Sequence, residues 1–469
     1  MKSYKLSLVA LSVASAILVT GCGGGGGGGT SGPVTPPVVV TPAPIVTLSF
    51  ASPKANVGTP DVLTWTSSNA TSCTGSDGLS GSLLTGNSTT ITPTVGGVAK
   101  YTVSCTGAGG STSKTVELVT PIPVQKTSYL NFKTVNLPAQ TAPISSTFVA
   151  NEAVTSGIAY GDFFQDGTIS MVAATNVFNG SGTFGSTDAG RIYFFHTDGK
   201  GGWIDQTDKI LSASDRTGCL SPRKVVVADF NGDGKPDSFI VCHGIDGDIK
   251  PGFSQGEHPR YILSQSDGTY KNIDAGFNCY CHGAAAADFN GDGFADIVVA
   301  SPPVLGRVVY LKNNKDGTFT DSPSLIPAST FNKSIWSMEF VDVNSDGKFD
   351  LAMYGSEHGN GTPGGITWDW QPTFFINSGT NIFSDTMQQV KAPFSLNGDA
   401  LDIIVGNGKI AFTRADNNPT KKYQVQILSY PSMTQLSVTD IGALDSPWFN
   451  LYNGNIVGMW TYNNYSISF

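Results

Sequence analysis

Three nine-residue runs in this chain put an oxygen-bearing side chain at nearly every second position. They are Asp229-Phe230-Asn231-Gly232-Asp233-Gly234-Lys235-Pro236-Asp237, Asp288-Phe289-Asn290-Gly291-Asp292-Gly293-Phe294-Ala295-Asp296 and Asp342-Val343-Asn344-Ser345-Asp346-Gly347-Lys348-Phe349-Asp350. Oxygens at positions 1, 3, 5 and 9, with the main-chain carbonyl of position 7 (Lys235, Phe294, Lys348), form the donor set of a hard cation of calcium's size. The glycine at position 6 permits the sharp turn such a wrap needs. One copy would be a weak signal; three in the same register are specific. Without a cation the carboxylates packed into each tight loop would repel one another, so bound Ca2+ is expected. An EF-hand would need a carboxylate at position 12, on a helix. Here position 12 is Ile240, Val299 and Met353, in apolar runs with strand character, which excludes that motif.

The elements that must hold these loops follow from their flanks. Each loop comes after a small or apolar run (Val225–Ala228, Ala284–Ala287, Met338–Val341) and before another (Phe239–Val241, Ile297–Ala300, Leu351–Met353). A third run then leads to a tight turn, as in Tyr261–Leu263 before Asp267-Gly268 and Val308–Leu311 before Asp316-Gly317. The unit is strand, acidic loop, strand, long loop, strand, turn, strand, which is the content of a propeller blade. Degenerate copies extend the array. Upstream, Asp162, Asp166 and Gly167 keep the frame, but Phe164 and Ser170 replace two donors, which should weaken or abolish a site there. Downstream, Asn397-Gly398-Asp399 and Asp402 precede Ile403–Val405, and a faint trace lies near Asn453–Ile456. A repeat of about 55–65 residues predicts six blades, with seven the other count the length allows. A strand near Tyr129–Phe132 could complete the last one.

The loops and their flanks resemble the FG-GAP repeat of integrin-like propellers and of bacterial VCBS-repeat proteins, over roughly residues 127–469. That resemblance implies three structural calcium sites, each clipping the first strand of a blade to its second. They are Asp229, Asn231, Asp233, Asp237 and the Lys235 carbonyl; Asp288, Asn290, Asp292, Asp296 and the Phe294 carbonyl; and Asp342, Asn344, Asp346, Asp350 and the Lys348 carbonyl.

Alternating strand direction sends the acidic loops and Asp-Gly turns to one face of such a body and the long loops to the other. The long-loop face gathers His243, His258, His282 and His358, the acids Glu257 and Glu357, and Trp368 and Trp370, and is the candidate ligand face. It also receives Cys219, Cys242, Cys279 and Cys281. With His243 and His282 these could form a zinc cluster; in an oxidising compartment two disulfides are the expected outcome, with the pairing open. Cys279-Tyr280-Cys281-His282 is one residue short of a haem-attachment motif. Glu257-His258 and Glu357-His358 could do acid–base work or hold the rim, and Trp368 and Trp370 could stack on a ligand or belong to the core.

The N-terminus reads as an address. Lys2 and Lys5 precede a short apolar stretch, and Leu18-Val19-Thr20-Gly21-Cys22 resembles the bacterial lipobox, which implies cleavage before Cys22 and acylation of its thiol. The expected order is a signal peptide over 1–21, a Gly/Pro-rich tether over 22–44, a small β-sandwich over 45–122 and the propeller over 127–469. Gly23 after the lipid-bearing cysteine implies, by the same resemblance, the outer membrane. The sandwich segment resembles bacterial Ig-like domains in its Trp65 strand and its Asn69–Cys73 segment, and its two cysteines, Cys73 and Cys105, are expected to pair. Trp65 precedes both cysteines instead of lying between them, a departure from antibody-type domains.

Composition agrees with an all-β chain: 56 glycines, 26 prolines and only 13% charged residues make a turn-rich sequence poor in long-helix formers. The net charge of −9 and the lack of a basic stripe argue against a nucleic-acid partner. Membrane contact is expected through the N-terminal lipid only. The expected function is a calcium-stabilised surface or adhesion lipoprotein binding a protein or glycan; the competing expectation is a carbohydrate-active lyase or hydrolase.

Overall fold

The computed structural model describes residues 41–124, 152–153, 157–177, 189–200, 202–244, 256–301, 307–355, 370–380, 383–393, 399–406, 408–415, 423–442, 449–452, 455–458 and 464–466. The signal, most of the tether, Cys22 and the Tyr129–Phe132 segment lie outside these residues, as do Glu357, His358 and Trp368. Among the described residues no helix is long and apolar enough to cross a membrane.

Seven strands come first: β1 (Ile45–Phe50), β2 (Asp61–Ser68), β3 (Ser72–Asp77), β4 (Gly81–Leu83), β5 (Gly86–Ile91), β6 (Gly97–Gly107) and β7 (Gly110–Thr120). They form a three-stranded sheet, β1-β2-β5, and a four-stranded one, β4-β3-β6-β7. Alternation along β2 buries Asp61, Leu63 and Trp65 and exposes the residues between them, as a strand with one face on a core requires. Leu63, Trp65, Val103, Cys105 and Leu118 join the inner faces of both sheets in one core. Cys73 and Cys105 are bonded as expected. They sit directly opposite each other on the neighbouring strands β3 and β6. The bond therefore staples one sheet, whereas the antibody-type cystine joins two.

The remaining described strands form a series of antiparallel sheets. The first contains β8 (Glu152–Ala153), β9 (Ile158–Gly161), β10 (Ser170–Val177), β11 (Ala189–Thr197) and β12 (Trp203–Asp205). A single-turn helix, α1 (Thr207–Ile210), follows it. The second sheet is β13 (Pro222–Ala228), β14 (Asp237–Cys242), β15 (Arg260–Ser264) and β16 (Tyr270–Asp274). The third is β17 (Gly283–Ala287), β18 (Asp296–Ser301), β19 (Arg307–Asn313) and β20 (Phe319–Asp321). The fourth is β21 (Ile335–Val341), β22 (Asp350–Gly355), β23 (Thr373–Ile376) and β24 (Gln388–Lys391), and the fifth is β25 (Asp399–Gly406), β26 (Lys409–Ala415), β27 (Tyr423–Ser429) and β28 (Gln435–Gly442). Strands β29 (Phe449–Tyr452), β30 (Asn455–Gly458) and β31 (Asn464–Ser466) make a last, three-stranded sheet.

Each first strand packs against the first strand of the next sheet, from β9 through β13, β17 and β21 to β25. The strands are apolar on both sides, and the two-residue period divides their side chains between two cores. In β13, Val225 and Val227 face the first sheet, while Val226 and Ala228 face the third. In β17, Ala284 and Ala286 pack on the second sheet, and Ala285 and Ala287 on the fourth. Repeated four-stranded sheets stacked face to face through shared cores are the architecture of a propeller.

One expectation changes. Asp399–Gly406 is the first strand of the fifth sheet, not a degenerate acidic loop ahead of a second strand. Gly406 pairs with Lys409, leaving only residues 407 and 408 between β25 and β26. Asn-Gly at that place is a tight-hairpin signal, and it outweighs the scattered acidic residues before it. Asp402 lies within β25 and accepts the Tyr354 hydroxyl at 2.9 Å.

Candidate functional site

All three acidic loops lie between the first and second strands of their sheets, and the ninth residue of each (Asp237, Asp296, Asp350) opens the second strand. The main-chain amides bonded by positions 1, 3 and 5 repeat from loop to loop. The position-1 carboxylate accepts the amides of positions 5 and 6: Asp229 from Asp233 and Gly234 at 3.0 and 2.8 Å, Asp288 from Asp292 and Gly293 at 2.9 Å each, and Asp342 from Asp346 and Gly347 at 2.9 Å each. The position-3 Asn oxygen accepts the position-5 amide at 3.1, 2.9 and 3.0 Å in the three loops. The position-5 carboxylate accepts the position-7 amide at 2.9, 3.1 and 3.0 Å. Such a tight wrap needs left-handed backbone, supplied by Gly234, Gly293 and Gly347 at φ of 79°, 93° and 83°.

Two features of these loops were not evident from sequence. Position 2 is an apolar anchor, with Phe230, Phe289 and Val343 buried in the inter-sheet cores. The position-9 aspartate is fully buried in each case. One of its oxygens accepts an amide at the far end of the third strand: Ser264 to Asp237 at 2.6 Å, Asn313 to Asp296 at 2.8 Å, and Asn377 to Asp350 at 2.8 Å. The other takes the position-2 amide in two loops, Phe230 at 2.8 Å and Val343 at 3.0 Å. In the remaining loop it takes Tyr310 and Asn290 side chains at 2.7 Å each. That carboxylate thus ties first, second and third strands together, a long-range role no local pattern announces.

Burial is the main electrostatic cost at these positions. It pushes Asp237 up to about 7 and Asp350 up to about 6, with neighbouring loop carboxylates adding to the rise and main-chain amides opposing it. Asp296 and Asp229 are raised for the same reasons. Among the described residues no three His, Cys, Asp or Glu side chains converge closely enough to hold an ion as they are oriented here. The carboxylates are turned toward main-chain amides. The donor chemistry still fits a hard divalent cation: each loop gathers only oxygen donors around a buried ninth aspartate, with Lys235, Lys315 and Lys348 pairing the position-5 carboxylates at 3.2, 3.5 and 3.3 Å.

The upstream degenerate loop keeps the frame by other means. Asp162 accepts Asp166 and Gly167 amides at 3.0 Å each, and Gly167 has φ of 79°. Ser170 replaces the ninth aspartate, its hydroxyl accepting the Phe163 amide at 2.9 Å and donating to Gly161 O at 2.7 Å. His196, from the third strand, reaches into the loop. Its Nε2 lies 2.6 Å from Asp166 Oδ2 and 2.9 Å from Thr168 Oγ1, and Phe164 packs edge-on against its ring.

At the other end of the sheets the four cysteines form Cys219–Cys242 and Cys279–Cys281 disulfides, which leaves no thiolates for the zinc cluster. His243 and His282 do meet, Nε2 to Nε2 at 2.9 Å. Burial, with the nearby Arg223 guanidinium adding to it, holds His282 down at about 3 and His243 well below the usual imidazole range. Both rings are therefore neutral near pH 7, one donating to the other. Tyr280 packs on His243, and Trp336 lies against His282 with ring centres 5.9 Å apart.

Glu257 and His258 are brought elsewhere. Glu257 pairs its main chain with Cys279 and its carboxylate with Arg260, and His258 bonds Asp274 at 2.8 Å. Trp370 is not on an open face: it is a core residue whose Nε1 donates to Met353 O at 3.1 Å. Below the histidines, Lys224 of β13 reaches across to β21, where it meets Glu339, Ser337 Oγ at 3.5 Å and Met338 O at 3.2 Å. The all-small strand β17 (Gly283–Ala287) leaves the room for that crossing.

Residues 288–353, from the second acidic loop through the third, match the family model described as FG-GAP-like repeat. No curated protein matches the chain. Among solved structures it is similar to a protein of unknown function from Bacteroides thetaiotaomicron, with 11% identity and a TM-score of 0.35 over 88% of this chain and 96% of that one. A quinonprotein alcohol dehydrogenase-like protein from the same organism aligns with 8% identity and a TM-score of 0.28, over 85% and 97% of the two chains. Rhamnogalacturonan lyase YesW aligns with 13% identity and a TM-score of 0.32, over 88% and 80%.

Proposed function

We propose that this chain is a calcium-stabilised binding protein of the cell envelope. In this reading Cys22 carries the lipid anchor in the outer membrane, residues 22–44 are a stalk, and an Ig-like sandwich spaces a six-bladed propeller from the surface. Calcium in the three acidic loops would be held by the side chains of positions 1, 3, 5 and 9 and the position-7 carbonyl, and its work there is structural. The observation that carries the calcium reading is the repetition of the position-1, -3 and -5 hydrogen bonds beside a buried carboxylate in three consecutive sheets.

A binding role is favoured over catalysis because the acid–base candidates Glu257 and His258 are spent on holding the rim through Arg260, Asp274 and the Cys279 main chain. The ligand face is then the end remote from the acidic loops. A glycan array and an envelope-protein pull-down with the mature chain, in millimolar calcium and in chelator, test the proposal. Capture that requires calcium is the expected result. Turnover of a polysaccharide, abolished by substitution of Glu257, His258, Glu357 and His358 with Ala, would replace it with the enzymatic reading.

A further inference from the structure

Four loops share the acidic frame, and they differ in what stands over them. A Cβ built on the position-6 glycine would meet nothing within 4 Å at Gly234, Gly293 or Gly347. On Gly167, the same position of the upstream loop, it would stand 2.8 Å from Gly97 O and 3.1 Å from Thr120 O. Gly97 opens β6, Thr120 closes β7, and the two are paired, so one end of the sandwich lies over this loop. The position-1 carboxylates differ in the same way. Asp229, Asp288 and Asp342 accept amides of their own loops. Asp162, which is buried, accepts its own loop's amides and also that of Ile122, 2.8 Å away on the segment leaving the sandwich.

The connection itself is stiff and seated. Pro121 and Pro123 flank Ile122, and their rings fix φ on both sides of it. Ile122 packs against the core that holds Tyr160 and Met171, whereas Val124 packs against the core that holds Ala159 and Val172. Neighbouring residues of one strand point to opposite faces, so the connection grips both sides of the first propeller sheet. The tether arrives at the other end of the sandwich. A Cβ on Gly109 would stand 2.2 Å from Pro42 O, and one on Gly107 would stand 3.3 Å from Pro44 Cγ. Gly107 and Gly110 close the β6–β7 hairpin at the end opposite Gly97 and Thr120. Along strands of eleven residues each, the two ends are roughly 34 Å apart.

We propose that the upstream loop is a socket that locks the sandwich onto the acidic-loop end of the propeller. The two then move as one body, and the long-loop end points away from the place where residues 41–44 enter. Small contacts between domains ordinarily permit relative motion. Here the contact is a main-chain amide on a buried carboxylate and a glycine against two carbonyls, with no side chain between them to give way. The socket asks for no cation. Phe164 and Ser170 replace two of the donors, and His196 already meets Asp166 at 2.6 Å. The joint stands apart from the calcium and binding readings; that the outward end is the ligand end rests on the binding reading.

The test is double electron–electron resonance on the full mature chain, spin-labelled at Ser88→Cys in the sandwich and Lys200→Cys in the first propeller sheet, both exposed positions. One narrow distance distribution is expected, the same in millimolar calcium and in chelator. Asp162→Ala removes the acceptor, and Ile122→Pro removes the donated amide from the other side of the joint. Each should at least double the width of the distribution, with circular dichroism showing both domains folded; if one variant does not fold, the other carries the test. A broad distribution in the unsubstituted chain, a narrow one that needs calcium, or a width that the folded variants leave unchanged overturns the proposal. A loose joint alongside calcium-dependent ligand capture would sink this inference and leave the binding reading standing. A tight joint without any capture would do the reverse.

Discussion

With the proposed calcium sites kept empty by chelator, stability should fall as pH rises, the reverse of the usual acid sensitivity. Asp237 and Asp350 have folded-state values near 7 and 6, against 3.8 for an unhindered carboxyl. A raised value means the fold prefers the protonated form. Its contribution is complete below the unfolded value and is lost as pH climbs through the folded one. By pH 8 the loss is on the order of 4 kcal/mol for Asp237 and 3 kcal/mol for Asp350, both fully buried, at roughly 1.4 kcal/mol per pH unit. On the calcium reading proposed above, the cation would bind the ionised form and oppose that loss; at tenfold over its Kd each site would add about 1.4 kcal/mol. Thermal melts of the mature chain at pH 5, 6, 7 and 8, in chelator and in millimolar calcium, measure the effect. In chelator Tm should drop by roughly 10 °C or more across the series, and the increment from calcium should grow with pH. The window stays above pH 5 because Asp215 and Asp274, held low by their hydrogen bonds and their Lys271, Arg260 and His258 partners, add ordinary acid sensitivity beneath it. A chelated Tm that is flat or rises from pH 5 to 8 refutes the reasoning.

The upstream loop should behave oppositely toward metal: His196→Ala removes its link to Asp166 and Thr168, so Tm should fall by a few degrees whether or not calcium is present, as parallel melts would reveal. Replacing Cys219 and Cys242 by serine should cost about 3 kcal/mol on the chain-entropy model, and opening the three-residue Cys279–Cys281 ring about 1.6 kcal/mol, which denaturant titrations can separate. Gly283→Ala should destabilise by roughly 1–3 kcal/mol, because its Cβ would fall 2.5 Å from Ser337 Oγ and 2.8 Å from Ser337 Cα; an unchanged unfolding midpoint would contradict the close approach of β17 and β21.

The acidic loops were legible because their constraints are local: glycine where φ is positive, donors at fixed offsets, apolar runs on both sides. The four-strand unit followed from the same flanks. What escaped was set by distant parts of the chain. Nothing around Ser264, Asn313 or Asn377 announces that their amides meet the ninth aspartate. His196 stands thirty residues from the aspartate it contacts. Asp402 and its neighbours imitate a loop in acidic composition, but the hairpin signal that follows prevails. Cysteine pairing stayed open for a related reason: four cysteines allow three connectivities, and only tertiary packing selects one.

Because consecutive sheets share their cores, each is a party wall between two rooms. Removing one whole sheet would bare an apolar surface on both of its former neighbours, but those surfaces were already built to face a sheet of the same kind. Evolutionary growth or shrinkage of this body should therefore proceed by whole repeats. Insertions of other lengths should be confined to the connections between strands, outside the shared cores.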